Sequence, residues 1–387
     1  MHFRTRALAY AGAGAVGLFA TGLFAAPALA ADEADVSVKA VSSKIAIGAG
    51  LKLFRYDVKN AGPSVAAATQ VAIDLSGLDP KQVTIDVDEL EEADRVDVVK
   101  AEADEVVLDL GDLASGETWA IPLPLFVAEG AEPGPAGTFK LTIKSAVADP
   151  AAGNNVSSVP VEVTKSGVDL LSVASDVYAF GEEGDEELKP VPPGGEGALP
   201  WIVLNQGDQG SQGLRVGVTL PEKVSFIEDY EGCTISGDRR VLLCQDSEAV
   251  LAPGDAFGGV FPVKVSKDAS GPVTLTGGTL KVGGFSAIES PSPAARAATA
   301  SKVFDQFTEK AEEVLADIDP ADNDSEFSVF VGGTGGGGGG DLPVTGVQAG
   351  LIGGVGLAVL AGGGVLLVMS RRRKVVLVTP GDETPTA

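Results

Sequence analysis

The stretch Asn60-Ala-Gly-Pro-Ser64, followed by the alternating segment Val71-Ala-Ile-Asp-Leu75, decides the fold because the chain carries it twice. Asn205-Gln-Gly207 repeats the turn, and Val216-x-Val-x-Leu220 repeats the alternating segment, each 145 residues later. Three further matches keep the same order: Leu113–Glu117 with Leu251–Asp255, Gly137–Leu141 with Gly278–Val282, and Asp149–Ala151 with Asp319–Ala321. Five matches in one order are typical of an internal duplication.

The segments between these turns alternate apolar and polar residues. Val36-Ser-Val-Lys-Ala-Val41 and Phe139-Lys-Leu-Thr-Ile143 show the period of two that predicts half-buried strands. No long helical period interrupts them between Ala31 and Glu289. We therefore predict an all-β fold with two tandem Ig-like β-sandwich domains, at residues 31–165 and 166–331.

The last pair of matches lies farther apart than the others, which predicts an insertion in the second copy at about residues 290–318. Ser301 could act as an N-cap there, and the apolar residues that follow fall on one face of a helix: Val303, Phe304, Phe307, Ala311, Val314 and Leu315. This short amphipathic helix is expected to pack on the second sandwich, or alternatively to bind a partner.

The N-terminus is typical of a secretory signal peptide at residues 1–30. Arg4 and Arg6 precede an apolar segment, and Ala28-Leu-Ala30 is an A-x-A site that predicts cleavage before Ala31 by signal peptidase. An uncleaved N-terminal membrane helix is the alternative.

A composite signal follows the two modules. A Gly-rich spacer at 332–341 precedes Leu342-Pro343-Val344-Thr345-Gly346, an uncharged, mostly apolar run at 347–370, and a tail at 371–387. The run is long enough to cross a bilayer as a helix. The tail opens on a basic cluster that predicts a cytoplasmic stop-transfer signal: Arg371, Arg372, Arg373 and Lys374.

Leu342 to Gly346, with the apolar run and basic cluster behind them, resemble the LPXTG sorting signal of Gram-positive cell-wall-anchored surface proteins. The resemblance implies that sortase cleaves between Thr345 and Gly346 and joins Thr345 to peptidoglycan. A tail-anchored membrane helix with an accidental motif is the alternative. The repeated turns resemble those of CARDB-like and conserved-repeat Ig-like domains, which serve as stalk and adhesive modules and share no set of catalytic residues.

The composition argues against an enzyme and against a nucleic-acid-binding protein. The only histidine, His2, lies in the predicted signal peptide, so the exported part has none for a triad, a zinc site or general base catalysis. The formal net charge is −26, and a chain this acidic repels nucleic acid. An enzyme that uses paired carboxylates is the remaining catalytic hypothesis.

Cys233 and Cys244 flank a predicted turn at Ser236-Gly-Asp238. An even pair in an exported chain predicts one disulfide between neighbouring strands; the alternative is redox or metal chemistry.

Asp317, Asp319, Asp322 and Asp324, with Glu326, place carboxylates at spacings that could surround a calcium ion. The spacing is not that of an EF-hand, and a solvated acidic turn is the alternative. No other cofactor is expected.

Together these features predict a secreted surface protein on the extracellular face of a Gram-positive envelope. It would be anchored to the cell wall and carry non-enzymatic adhesive or structural modules. Its expected partners are signal peptidase, sortase and peptidoglycan, and an extracellular protein or carbohydrate ligand is a further expectation. The alternative is an uncleaved single-pass membrane protein whose sandwiches bind a carbohydrate or a protein.

Overall fold

The computed structural model describes residues 33–85, 97–102, 104–180, 188–230, 232–288 and 317–333. The predicted signal peptide, nearly all of the predicted inserted helix, most of the spacer, the sorting motif, the apolar run and the tail lie outside these residues. Within the described ranges, no helix is long and apolar enough to span a bilayer.

Strands account for most of the described residues. The first half contains β1 (Val36–Ala40), β2 (Lys44–Ala46), β3 (Lys52–Asn60), β4 (Ala66–Asp74), β5 (Val83–Ile85), β6 (Asp97–Ala101), β7 (Glu105–Leu113), β8 (Thr118–Val127), β9 (Gly134–Lys144) and β10 (Val156–Thr164), with one 3-10 turn at Ala152–Asn154. The second half contains β11 (Leu170–Ala174), β12 (Tyr178–Ala179), β13 (Glu196–Asn205), β14 (Gly210–Thr219), β15 (Val224–Phe226), β16 (Cys233–Ile235), β17 (Val241–Leu251), β18 (Ala256–Val265), β19 (Val273–Gly283), β20 (Ser286–Ile288) and β21 (Asp324–Val331).

The strands form two pairs of sheets with matching order. In the first pair the orders are β1-β3-β8-β5 and β2-β10-β9-β4-β7-β6. In the second pair they are β11-β13-β18-β15 and β16-β17-β14-β19-β21, with β12 beside β13 and β20 beside β14. The two larger sheets match when the second is read in reverse, so that β21-β19-β14-β17-β16 correspond to β10-β9-β4-β7-β6. Each strand of the second pair except β12 and β20 thus has a counterpart in the first. The prediction of an all-β sandwich architecture is confirmed.

Each pair of sheets encloses its own apolar core, and we call each pair with its core a sandwich. In β4, Val71 and Ile73 are buried while their neighbours are more exposed, as an alternating strand requires. The Phe54 and Phe139 rings meet edge to face at 6.3 Å and join the two sheets of the first sandwich. In the second sandwich the rings of Trp201 and Phe261 stack at 5.1 Å.

The repeated asparagine explains why the chain carries its opening motif twice. Asn60 Nδ2 donates to the carbonyl oxygens of Ser64 (2.8 Å) and Leu113 (3.0 Å), and its Oδ1 accepts from the Gly62 amide at 3.0 Å. One fully buried side chain thus ties the end of β3 to the end of β7. At Gly62 any Cβ would lie 2.4 Å from the Asp35 amide nitrogen, so the position requires glycine.

Asn205 makes the equivalent bonds in the second sandwich. Its Nδ2 donates to the carbonyl oxygens of Gln209 (2.8 Å) and Leu251 (2.9 Å), and its Oδ1 accepts from the Gly207 amide at 3.1 Å. The structure therefore gives both copies of the motif one structural role.

The ladders shift two of the sequence matches by two residues. Ile73 pairs with Leu141, and its counterpart Val218 pairs with Leu280 rather than with Val282. A shift of two keeps the same face of the strand towards the core, so the hydrophobic pattern alone could not detect it. The final turn is shifted in the same way, because Asp149 accepts from the first residue of β1 as Asp317 accepts from the first residue of β11.

Candidate functional site

A buried charge cluster lies where the two sandwiches meet. At its centre is the ammonium of Lys52, the first residue of β3, whose side chain is fully buried. Lys52 Nζ lies 2.7 Å from Asp169 Oδ2, 3.0 Å from Asp319 Oδ2 and 3.0 Å from Asp322 Oδ2. Since Lys52 belongs to the first sandwich and the aspartates to the second, these ion pairs connect the two sandwiches. We call the region around this cluster, where the two sandwiches meet, the joint.

The alternation of β3 places Lys52 inward. Lys52, Phe54, Tyr56 and Val58 are all buried and share one parity of the strand. A lysine at an apolar position of a strand is rarely buried without a partner. The carboxylates of the second sandwich provide that partner.

Arg55, on the opposite face of β3, adds bonds to backbone carbonyls of the second sandwich. Its guanidinium donates to the carbonyl oxygens of Ser172 and Asp324, and more distantly, at 3.4 Å, to that of Asp322. Its Nε lies 3.1 Å from Asp57 Oδ1, which supplies its counter-charge. Arg55 therefore bridges the two sandwiches without neutralising the aspartates around Lys52.

Backbone amides fix the positions of two carboxylates in the turn before β21, Asp319 and the additional Asp317. Asp319 Oδ2 accepts from the amides of Ser43 and Lys44 at 2.7 and 2.9 Å. Asp317 Oδ2 accepts from the Leu170 amide at 2.7 Å, and its Oδ1 accepts from the Asp319 amide at 2.9 Å. These bonds hold the turn before β21 against both sandwiches.

The cluster contains more carboxylates than cations, and the pKa values reflect this imbalance. Burial alone would lower the pKa of Lys52, but the attraction of Asp322, Asp169 and Asp319 outweighs it and raises that pKa above its ordinary value. Burial raises the pKa values of Asp169, Asp322 and Asp317 in spite of the nearby ammonium. The cluster therefore holds a charged lysine among aspartates that resist ionisation.

The first sandwich contains the same turn without the excess charge. Asp149 Oδ2 accepts from the amide of Val36, the first residue of β1, at 3.2 Å, as Asp317 does from Leu170, the first residue of β11. Asp149 Oδ1 accepts from the Ala151 amide at 2.8 Å. Asp149 is therefore the counterpart of Asp317, not of Asp319 as the sequence match indicated.

With this correction, three residues at the contact between the sandwiches differ in chemistry from their equivalents in the first copy. Asp319 corresponds to Ala151, Asp322 to Asn154 and Gln206 to Ala61. Asn154 Nδ2 donates to Asp35 Oδ1 at 2.8 Å, whereas the equivalent Asp322 and Asp169 are two carboxylates that share Lys52. Gln206 exchanges hydrogen bonds with the backbone of Leu53, accepting at 2.7 Å and donating at 3.4 Å.

A second contact between the sandwiches surrounds Asp176. Asp176 Oδ2 accepts from the Thr118 amide at 3.3 Å, and its Oδ1 accepts from the Ser328 amide at 2.6 Å. Desolvation raises the pKa of Asp176 to about 8, and the charge of Glu117 adds to that increase. At Gly116, with φ of +80°, a Cβ would lie 2.7 Å from Thr274 Cγ2, so the close approach of the β7–β8 loop to β19 needs glycine.

The structure brings together three of the four aspartates that the sequence offered for calcium. Asp317, Asp319 and Asp322 lie in the joint cluster with Asp169, which sequence reasoning missed. Asp324 instead pairs with Lys281 on the surface, and Glu326 pairs with Lys59 at 3.4 Å. Calcium itself stays a prediction.

The sequence analysis also did not single out Lys52, although its position in the alternating pattern of β3 indicated an inward-facing side chain. Its parity with Phe54, Tyr56 and Val58 marks it as an inward-facing lysine in an otherwise apolar position. Asp169 carried a weaker signal, because it is the counterpart of Asp35 in the duplicated module. Neither signal indicates that the two residues meet.

The predicted disulfide is present. Cys233 and Cys244 are bonded and lie directly opposite each other in the β16–β17 pair. Ser236 and Asp238 lie in the connecting turn, as the sequence predicted. The signal-peptide site at Ala28, Ala30 and Ala31, the LPVTG motif and the basic cluster lie outside the described residues and stay predictions.

Comparison with known proteins gives no family. No protein-family model and no curated protein matches the chain. Among solved structures, the chain is similar to CaCohA2 from Clostridium acetobutylicum, with 14% identity and a TM-score of 0.23 over 34% of this chain and 93% of that one. It is also similar to a protein from Corynebacterium diphtheriae described as membrane anchored, with 10% identity and a TM-score of 0.22 over 81% of this chain and 61% of that one.

A third similar structure is an alpha-2-macroglobulin from Salmonella, with 10% identity and a TM-score of 0.24 over 78% of this chain and 16% of that one. Identities and TM-scores of this size say nothing about the activity of this chain.

Proposed function

We propose that this chain is a cell-wall-anchored surface protein whose two Ig-like modules form a non-enzymatic structural or adhesive unit. One observation carries the structural part: the sandwiches are joined by a buried charge cluster rather than by an exposed linker alone. Lys52 and Arg55 reach from the first module into the second, and Asp319 binds backbone amides of the first. A joint of this kind suits a stalk that holds its outer end away from the envelope.

The anchoring part rests on the order of the C-terminal signals. Leu342 to Gly346 precede an uncharged span at 347–370 and the cluster Arg371 to Lys374. This order resembles that of the sorting signals in sortase substrates. The signal peptide at 1–30 and the disulfide support export, because disulfides persist in oxidising compartments. The partners of this proposal are signal peptidase, sortase and peptidoglycan, with a protein or carbohydrate ligand on the modules.

The chemistry at the sorting motif is performed by the transpeptidase, and this chain supplies the substrate. Cleavage between Thr345 and Gly346 would release the apolar span and transfer the Thr345 carbonyl to a wall amine. In that view the acidic body needs no catalytic group of its own.

Fractionation of a Gram-positive host that expresses the full chain tests the proposal. The wild-type chain should be released by a peptidoglycan hydrolase and resist detergent, because its anchor is covalent. The Thr345→Ala variant should lose this attachment and become extractable with detergent. Val344→Ala, at the variable position of the motif, is the matched control and should behave as wild type.

Detergent extraction of a wild-type chain that still carries Arg371 would overturn wall anchoring. That outcome would favour an uncleaved single-pass membrane protein that displays binding modules. Equal behaviour of the Thr345→Ala and Val344→Ala chains would also contradict sortase processing.

A further inference from the structure

The joint between the sandwiches contains buried negative charge that Lys52 does not balance. Asp169, Asp319 and Asp322 each contact the single ammonium, whereas Asp317 belongs to the same cluster but bonds to the backbone amides of Leu170 and Asp319 instead. Asp169 and Asp322 are fully buried and Asp319 nearly so. Buried charges are normally paired or coordinate a metal, so four carboxylates around one lysine leave a deficit of positive charge.

One carboxylate oxygen in the cluster has no partner. Asp322 Oδ2 accepts from Ser42 Oγ at 2.8 Å and contacts Lys52, but its Oδ1 is buried and accepts no hydrogen bond. A buried carboxylate oxygen without a partner destabilises the folded state, because it has lost its hydrogen bonds to water and no protein donor replaces them. The unpartnered Asp322 Oδ1 is an observation separate from the charge count, and it is a buried oxygen that is available to bind a cation.

The geometry fits a cation of the size that carboxylates bind. Asp169, Asp317 and Asp322 each offer a carboxylate oxygen, and these oxygens all lie within 4.8 Å of one another. Bonds of about 2.3–2.6 Å, as calcium forms, span such separations. The turn of the first sandwich has Asn154 where the second has Asp322, so the fold of the turn does not itself demand the third carboxylate.

We propose that Asp169, Asp317 and Asp322 bind a divalent cation, calcium by preference, at the joint between the two sandwiches. Lys52 Nζ contacts both oxygens of Asp169, at 2.7 and 3.0 Å. With the ion on the Asp317 side of the cluster, Lys52 would keep Asp319, Asp322 Oδ2 and one oxygen of Asp169, and the other Asp169 oxygen would bind the ion. Oxygen ligands alone select a hard cation over zinc or copper. Calcium is favoured over magnesium because magnesium demands a near-ideal octahedron and usually keeps several waters rather than entering an all-protein site.

This site extends the calcium expectation from sequence in a specific way. It keeps Asp317 and Asp322, replaces Asp324 by Asp169, and leaves Asp319 to Lys52 and the backbone amides. Because Asp169 directly precedes β11 and the other two ligands precede β21, the ion would connect two segments that both contact the first sandwich. Binding should therefore stabilise the joint, independently of whether the chain is anchored to the wall.

The test uses the full chain, purified in a mild detergent and treated with a chelator. Calcium should raise its thermal midpoint and bind with an affinity on the order of 10⁻⁴ to 10⁻³ M, the range of extracellular calcium modules. Magnesium at the same concentration should give a smaller shift. Calorimetric titration with calcium chloride measures the same affinity without reference to unfolding.

Asp317→Asn is the decisive variant, because it removes one ligand and leaves the Lys52 ion pairs in place. Loss of a group that only orients a metal ligand costs about 10–100-fold in affinity, so loss of a direct ligand should cost at least about tenfold. Asp324→Asn removes the same charge from the nearby surface and is the matched control. Asp322→Asn, which installs the amide of the first copy, should weaken binding as Asp317→Asn does.

Two results would overturn the proposal. The first is a wild-type chain whose midpoint and heat of titration do not respond to calcium well above that range. The second is an equal response of the Asp317→Asn and Asp324→Asn chains, which would show non-specific binding to an acidic surface. Each variant is compared with its own chelated baseline, so a change in intrinsic stability does not obscure the result.

Discussion

Asp176 is a carboxylate placed where the fold prefers it to be neutral. It accepts hydrogen bonds from two backbone amides, one in each sandwich. Desolvation and the charge of the neighbouring Glu117 nevertheless raise its pKa to about 8, against the weaker attraction of Lys59. A group of this kind makes the contact between the sandwiches sensitive to pH.

We expect the stability contributed by Asp176 to fall as pH rises from about 4 to about 8. In this window the folded chain keeps the proton on Asp176, whereas the unfolded chain has already lost it, so unfolding releases a proton. Urea unfolding of the full chain at several pH values should show this slope, and Asp176→Asn should flatten it. Parallel pH profiles for the two chains would contradict the assignment.

Other residue-scale features were accessible from sequence to different degrees. The disulfide was predictable because the chain has two cysteines and carries a predicted signal peptide, so neither cysteine has another possible partner in the chain. Lys52 could have been placed on the inward face of β3 by its parity with Phe54 and Tyr56. Its partners could not, because Asp169, Asp319 and Asp322 lie more than a hundred residues away along the chain.

At the scale of elements, both sandwiches share the turn that begins at a buried asparagine, Asn60 in the first and Asn205 in the second. Asn60 and Asn205 are fully buried, and each donates to two carbonyl oxygens and accepts from two amides of its own sandwich. The side chain thus replaces backbone bonds where β3 and β13 end.

Asn60→Ala and Asn205→Ala should each lower the free energy of unfolding by about 1–3 kcal/mol, because each orphans buried carbonyl oxygens. Denaturant unfolding of each full-length variant measures this. Asn154→Ala, which removes an exposed amide, is the control and should stay within about 0.5 kcal/mol of wild type. A loss at only one of the two asparagines would show that the turns are not energetically equivalent.

The pairing of the strands also shows that residue matches alone do not fix the register between the two copies. The five matches identified the repeated strands, but two of the five were two residues out of register. Because side chains in a strand repeat with a period of two, that error leaves every apolar residue on its correct face. The hydrogen-bond ladder is what distinguishes the two registers.

At the scale of the whole molecule, the joint decides whether two modules behave as one. Lys52, Arg55 and Gln206 connect the sandwiches at one contact and Asp176 at another. A module with this many buried polar bonds to its neighbour is not expected to move independently of it.

In the presence of a chelator, Lys52→Met should destabilise the full chain by about 3–5 kcal/mol, since removing one partner of a buried ion pair leaves the other uncompensated. The wild-type body should unfold in one transition and the variant in two, because the joint no longer couples the sandwiches. Urea unfolding followed by fluorescence measures both effects. Lys264→Met, which removes a surface pair with Glu196, is the control and should change little.

An unchanged single transition in Lys52→Met at wild-type stability would show that the cluster does not couple the modules. It would also remove the structural support for a rigid stalk, while leaving wall anchoring to be tested at Thr345.

The sequence by itself determined the all-β architecture, the repeated turns and strands, and the disulfide, because these depend on local periodicity and on nearby residues. It also supplies the export and anchoring predictions, which rest on linear signals. Only the tertiary structure decided the joint. Lys52 meets Asp169, Asp319 and Asp322 through contacts distant in sequence, and a carboxylate shows whether it is solvated or buried only when its neighbours are in place. The turn that is largely exposed in the first copy is buried at the contact between the sandwiches in the second, where Asp319 and Asp322 replace Ala151 and Asn154 and contact Lys52 of the first sandwich.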